Sequence, residues 1–179
     1  GDLFKVIRAN ATGIFSDVKK YERTLALVDI TDENAYVVDI FRAGNGPAGI
    51  YEKYNRSNIG RMTVEGMKLT DIKKVSPPGI YMSDFRFALQ KDAVREADWA
   101  VEDVFGMMQK GRDMHLRFLD LTTGAKMFTC NTWLPPAYWM SSSDSEGYWL
   151  PTMVTEKTVA TGETATFVSI LEPYEEKPN

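Results

Sequence analysis

Residues 23–42 constrain this chain more than any other stretch. Arg23-Thr24-Leu25-Ala26-Leu27-Val28-Asp29-Ile30 is an aliphatic, β-branched run, and the polar cluster Thr31-Asp32-Glu33-Asn34 stops it. Ala35-Tyr36-Val37-Val38-Asp39-Ile40-Phe41-Arg42 then resumes with aromatic and β-branched residues. Two such runs across a short polar turn predict a β-hairpin. A glycine-rich break over 43–49 ends it. The rest of the chain repeats the pattern. Residues 4–9 read as a strand before the turn-prone Asn10-Ala11-Thr12-Gly13, and 50–54 as another. Ser76-Pro77-Pro78-Gly79 marks a loop before Ile80-Tyr81-Met82. Residues 114–121 and 126–132 flank Thr122-Thr123-Gly124-Ala125, which reads as a hairpin with glycine in its turn. Residues 152–157 and 165–171 read as closing strands on either side of Thr161-Gly162-Glu163. Many short strands without βαβ alternation predict an all-β fold, an antiparallel two-sheet β-sandwich with at most one short helix.

Residues 91–110 admit two readings. Ala93, Ala97, Val101 and Val104 lie near helical spacing, whereas Ala97-Asp98-Trp99-Ala100-Val101-Glu102-Asp103 alternates as a short strand about Trp99 and Val101. A length of 179 residues without internal repeat or interdomain linker suits one domain over 1–179.

Charge and rare residues then narrow the chemistry. A net charge of −4 argues against a protein built to grip nucleic acid phosphates. No apolar run reaches the roughly 20 residues that a membrane helix needs. The single cysteine, Cys130, excludes an internal disulfide and shares a strand face with Phe128, as a buried, inert thiol would. The single histidine, His115, limits any nucleophile–histidine relay to one residue. Alternation places it with Arg117, away from Met114, Leu116 and Phe118, as on a strand surface.

Several segments resemble the C-terminal β-sandwich of heparinase II/III-like polysaccharide lyases. The opening Tyr21-Glu22-Arg23-Thr24-Leu25-Ala26-Leu27-Val28-Asp29 and the following 35–42 run are similar to that domain's first strands. Ala165-Thr166-Phe167-Val168-Ser169-Ile170-Leu171-Glu172-Pro173-Tyr174 is similar to its closing strand. Tyr81-Met82-Ser83-Asp84, Ala97-Asp98-Trp99 and His115-Leu116-Arg117 fall between them in the family's order. The resemblance implies a strand at 98–102, and a chain that is one piece of a larger multidomain protein, secreted or periplasmic, whose signal peptide lies outside these residues. It also implies an N-terminal α/α toroid as partner, and an acidic polysaccharide as ligand. In the family, β-elimination beside a uronate carboxylate uses tyrosine and histidine carried mostly on that toroid. The sandwich can add a histidine or a zinc site from a turn corresponding here to 41–55. Phe41, Arg42, Gly46 and Tyr51 persist in it, but Gly49 and Tyr54 stand where its two histidines would be. Neither replaces an imidazole that takes a proton or ligates zinc near neutral pH.

The remaining candidates concern binding. Trp133-Leu134-Pro135-Pro136-Ala137-Tyr138-Trp139, with Tyr148-Trp149, reads either as core or interdomain packing or as a stacking platform for sugar rings. Trp99 and Trp133 are expected to be buried, and Trp139 and Trp149 partly exposed. Arg42 offers a bidentate fork to a carboxylate, although a surface ion pair is its commoner role. Asp39 shares a face with Val37 and Phe41 and therefore needs a partner. Arg61, Lys68, Lys73 and Lys74 read either as a solvated basic surface, the commoner case, or as a patch that attracts an acidic polysaccharide, and Asn10-Ala11-Thr12 and Asn55-Arg56-Ser57 match the glycosylation pattern. Residues and resemblance together point to a non-catalytic sandwich module with no catalytic residue, metal or cofactor of its own. Its carbohydrate contacts are expected at Trp139, Trp149, Tyr138, Tyr148, Arg42, Tyr51 and Tyr54. The alternative is an independent carbohydrate-binding module using the same aromatics.

Overall fold

A computed structural model describes residues 4–11, 13–32, 34–57, 59–74, 81–88, 95–135, 147–176 and 178. Its strands are β1 (Phe4–Asn10), β2 (Lys20–Asp29), β3 (Ala35–Gly44), β4 (Gly49–Arg56), β5 (Gly60–Glu65) and β6 (Leu69–Asp71), then β7 (Met82–Ala88), β8 (Arg95–Val101), β9 (Met114–Asp120), β10 (Lys126–Leu134), β11 (Tyr148–Val159) and β12 (Thr164–Glu175). They form two antiparallel sheets packed as a β-sandwich, one ordered β1-β2-β3-β12-β9-β8-β5 and the other β4-β11-β10-β7-β6. No helix occurs among the described residues, so none there is long and apolar enough to cross a membrane. The ambiguous middle segment contains β8, which starts three residues before the expected 98–102 strand and ends one residue short of its end; residues 91–94 lie outside the described residues.

The β2–β3 hairpin forms as the sequence predicts, with Asp29 opposite Ala35. The 122–125 turn does not close a hairpin. β9 belongs to the seven-stranded sheet and β10 to the five-stranded one, so the turn carries the chain across the sandwich. Buried Arg95 fixes this crossing. Its Nη1 donates to the Ala125 carbonyl at 2.9 Å and its Nη2 to the Thr122 carbonyl. Its charge meets Asp120, whose Oδ2 also accepts from Thr155 of the facing sheet at 2.8 Å.

Between the sheets, Trp99 and Phe118 pack edge to face at 5.9 Å with Ala88, Ala97, Met127 and Met153. Trp99 is buried as expected, and its Nε1 donates to the Pro151 carbonyl at 2.8 Å. Alternation sends Phe128, Cys130 and Val154 to the opposite face of the five-stranded sheet, where they join Phe85 in a second cluster. That sheet is therefore apolar on both faces. Lys74 helps close the second layer, its ammonium 3.7 Å from the Phe128 ring centroid and 2.8 Å from Glu52. Lys74 is thus a structural cation, where the sequence suggested a solvated one.

Candidate functional site

The outer strands of the larger sheet project past the edge strand β4. Every residue of β1 is exposed. The overhang and β4 enclose a cavity of about 360 Å³ lined by Tyr21, Arg23, Phe41, Lys53, Glu52 and Tyr54, among others. Arg23 and Tyr54 also line a neighbouring cavity of about 230 Å³, with Asp39, Asn55 and Arg56, that runs inward to Trp99 and Phe118. Together they make one cleft along the β4 edge.

Its chemistry rests on a buried charge network. Register places Arg23 beside Phe41 and Leu25 beside Asp39, so Arg23 and Asp39 share the inner face of the hairpin. Arg23 Nε and Nη2 each donate to Asp39 at 2.9 Å, a bidentate pair. Lys53 reaches across from β4 and donates to Asp39 at 2.7 Å and to Ser169 Oγ at 2.8 Å. Burial by itself would raise the Asp39 carboxyl, but the Arg23 hydrogen bonds and the Lys53 charge hold it below its usual range. Burial is the largest influence on Lys53 and pulls its ammonium down, against the opposing charge of Asp39. Asp39 therefore has the partners that its apolar strand face demanded.

Arg23 keeps about half of its side chain exposed, and Arg56 at the far end of β4 is exposed. Arg56 donates to Thr132 at 3.2 Å, beside Trp133. Trp133 pairs with Trp149 across β10 and β11, and Tyr81 packs edge-on against Trp133 at 5.3 Å. Trp149 is 49% exposed, as expected, and Tyr81 is 66% exposed. Trp133 is only half-buried, where burial was expected, because it lies at a sheet end where Trp149 and Tyr81 cover it incompletely.

The other anticipated sugar contacts disperse. Tyr54 lines the cleft, with its hydroxyl donating to Glu52 at 2.5 Å. Burial, then that bond, pushes the phenol well above its ordinary range, so it stays protonated at neutral pH. Tyr51 packs on the Val159, Ala165 and Phe167 cluster. Tyr148 packs edge-on against Phe105 at 6.2 Å. Arg42 lies on the far face of the larger sheet, where it and Lys20 hold the Glu22 carboxylate at 3.2 and 3.1 Å and Arg8 makes a third contact. Tyr138 and Trp139 lie outside the described residues. Asn55 is buried, with its amide nitrogen against the Lys53 and Met153 carbonyls, so that position does not present a glycosylation acceptor.

Sequence reasoning missed Arg23, Lys53 and Arg56 as a set. Only Lys53 left a local signal, an alternation in β4 that sets it inward with Asn55; Arg56 has the other parity in that strand and Arg23 comes from β2. His115 is more than a surface residue. Its Nδ1 lies 2.6 Å from Asp98, its ring stacks on Tyr174 at 5.0 Å, and Tyr174 donates to Asp98 at 2.6 Å. Chemically, the cleft offers two exposed guanidiniums, a buried ammonium and the Asp39 and Glu52 carboxylates between aromatic walls. No protein-family model matches this chain, and no curated protein sequence matches it.

Proposed function

We propose that the chain is a non-catalytic C-terminal β-sandwich module of a heparinase II/III-like polysaccharide lyase. In this reading it packs against an α/α toroid and shapes a groove for an acidic polysaccharide outside the cytoplasm. The observation that carries it is the β4 cleft, where Arg23, Lys53 and Arg56 gather on a chain that is acidic overall. The Arg56 guanidinium, which meets no carboxylate among the described residues, matches a uronate carboxylate, and the aromatic walls match the C–H faces of the ring. Docking is supported by the outer face of the larger sheet. Val6, Ala26, Val38, Ile170 and Leu119 stand there in one cross-strand row, each at least partly exposed. A contiguous aliphatic row on an outer sheet face marks an interaction surface.

Affinity electrophoresis in gels containing polygalacturonate or neutral glucan tests the glycan half. Retardation by the uronate polymer alone, lost in Arg56→Glu at unchanged melting temperature, is the expected result. Migration that neither polymer changes would sink it. The exposed Tyr81 and Trp149, with half-buried Trp133 against both, favour a second reading, a free-standing carbohydrate-binding module. That reading expects Trp149→Ala, not Arg56→Glu, to remove the retardation, and neutral glucan to act as well.

A further inference from the structure

The opposite edge of the five-stranded sheet carries a second depression, and nothing in the fold requires its chemistry. Between the end of β6 and the start of β7 lies an open groove of about 700 Å³, lined among others by Ile72, Lys73, Ser83, Asp84, Arg86 and Asn131. A bulge builds it. The β7–β10 register slips between the Arg86–Thr129 and Ser83–Asn131 pairs. Asp84, inside the slip, takes the left-handed conformation with φ 54°. Bulges re-aim side chains, and non-glycine residues in this conformation cluster at binding sites.

The re-aimed groups form a polar platform. The Asp84 carboxylate accepts from Ser83 Oγ and from Asn131 Nδ2, each at 2.8 Å. Those two bonds, Ser83 first, hold it below the usual carboxylate range although it is exposed. The pair leaves Asn131 a further N–H and Asp84 further lone pairs for a ligand. Beside it, Lys73 and Arg86 are exposed and make no hydrogen bond or contact ion pair among the described residues. Arg86 acts on Asp84 only through space. Lys74, the third cation, is committed to Glu52 and the Phe128 ring. Half-exposed Ile72 adds an apolar flank.

Uncommitted cations beside a fixed amide–carboxylate pair fit a ligand with one anionic group and adjacent hydroxyls. We propose that this groove binds an anionic saccharide residue, its carboxylate or sulfate on Lys73 and Arg86 and its hydroxyls on Asp84 and Asn131. The inference rests on the acidic-polysaccharide reading but places a second subsite away from the β4 cleft. The Lys74–Glu52 ion pair contributes a wall to each depression, so a polymer leaving one meets the other.

Backbone amide shifts of the isotope-labelled chain, titrated with an oligogalacturonate tetrasaccharide, test it. The methyl-esterified tetrasaccharide serves as the uncharged control and a heparin hexasaccharide as the sulfated probe. Shifts at Ser83, Asp84 and Asn131 with at least one acidic probe, and none with the ester, are expected. The Lys73→Glu/Arg86→Glu double variant is expected to bind at least tenfold more weakly at an unchanged melting temperature. Shifts confined to Arg23, Tyr54 and Arg56, with affinity indifferent to the double variant, overturn the groove and leave the cleft standing. Groove shifts without cleft shifts overturn the cleft alone. Equal binding of acid and ester, or silence at the groove with both acidic probes, overturns the proposal.

Discussion

At the scale of single residues, the sheet faces dispose charge in two ways that acid and base should separate. Hydrogen bonding to Asp98, more than any other influence, raises the His115 imidazole, with the charges of Asp98 and Asp113 adding to it and burial opposing. Arg117, next along the same face, is committed to Glu96 at 2.6 Å and to Glu172. A histidine raised in the folded state stabilises fully below its unfolded value of about 6.5, and that contribution is lost as pH climbs through the folded value. Wild-type melting temperature should therefore decline above about pH 6.5, and His115→Gln should flatten that decline; parallel thermal profiles would contradict the linkage. Glu22 behaves oppositely. Hydrogen bonds from Arg8 and then Lys20 lower it to about 2, so its contribution holds above the ordinary carboxylate range and fades as pH falls toward 2. Glu22→Gln should weaken the acid dependence measured by fluorescence.

Asp39 and Lys53 call for a different experiment, because both are buried. Removing Asp39 strands the buried Lys53 ammonium, at a cost of roughly 3–5 kcal/mol, whereas Asp39 without Lys53 keeps its bidentate Arg23 pair. Denaturant titration should find Asp39→Asn destabilised by that order and Lys53→Met by less, with Asp39→Asn/Lys53→Met closer to wild type than the single variants predict by addition. Of these residues only Asp39 was legible in the sequence, because a carboxylate between Val37 and Phe41 must have a partner. Its identity was not, since Arg23 and Lys53 lie 16 and 14 positions away and meet it through pairing and sheet packing.

At the scale of elements, the long hairpin and the closing strands were legible, because their apolar runs are long and bounded by polar turns. β5 and β6 were not. Gly60–Glu65 and Leu69–Asp71 are short and mix charge with apolar residues, so tertiary pairing with β8 and β7 decides them. The 122–125 turn misled for a physical reason. Positive-φ Gly124 serves a hairpin and a crossing equally well, and the difference lies in Arg95, some thirty residues earlier in sequence. The 44–49 turn offers the element-scale test. A Cβ on Gly46 would lie 1.8 Å from the Asp17 carbonyl oxygen, so two backbones meet where no side chain fits. Gly46 also accepts from the Gly162 N–H at 2.8 Å, tying this turn to the β11–β12 connection. Gly46→Ala should cost about 1–3 kcal/mol through overpacking, while Gly124→Ala, with open space around it, should be limited to its local backbone strain. Equal losses by chemical denaturation would refute the packing argument.

For the whole molecule, the sandwich architecture followed from patterning, whereas the β4 cleft arises only from the unequal widths of the two sheets. No local pattern encodes that offset. The proposed role makes a molecule-scale forecast: the isolated chain should produce no unsaturated uronate from heparin, alginate or chondroitin, followed by ultraviolet absorbance. Sustained metal-independent release would refute a non-catalytic module. Elemental analysis should likewise find no stoichiometric zinc, since Gly49 and Tyr54 supply no imidazole.

The position of β12 carries one more consequence. It lies mid-sheet, bonded to β3 on one side and β9 on the other. On the ribosome, β1-β2-β3 and β5-β8-β9 emerge first, each with an unsatisfied inner border waiting for the last strand of the sheet. Vectorial synthesis therefore cannot finish the larger sheet piecemeal, because its two halves are joined only when residues 164–175 arrive. Until then both borders are templates for illicit pairing. A nascent chain stalled before residue 164 should remain protease-sensitive, and should recruit chaperones that the released protein no longer needs.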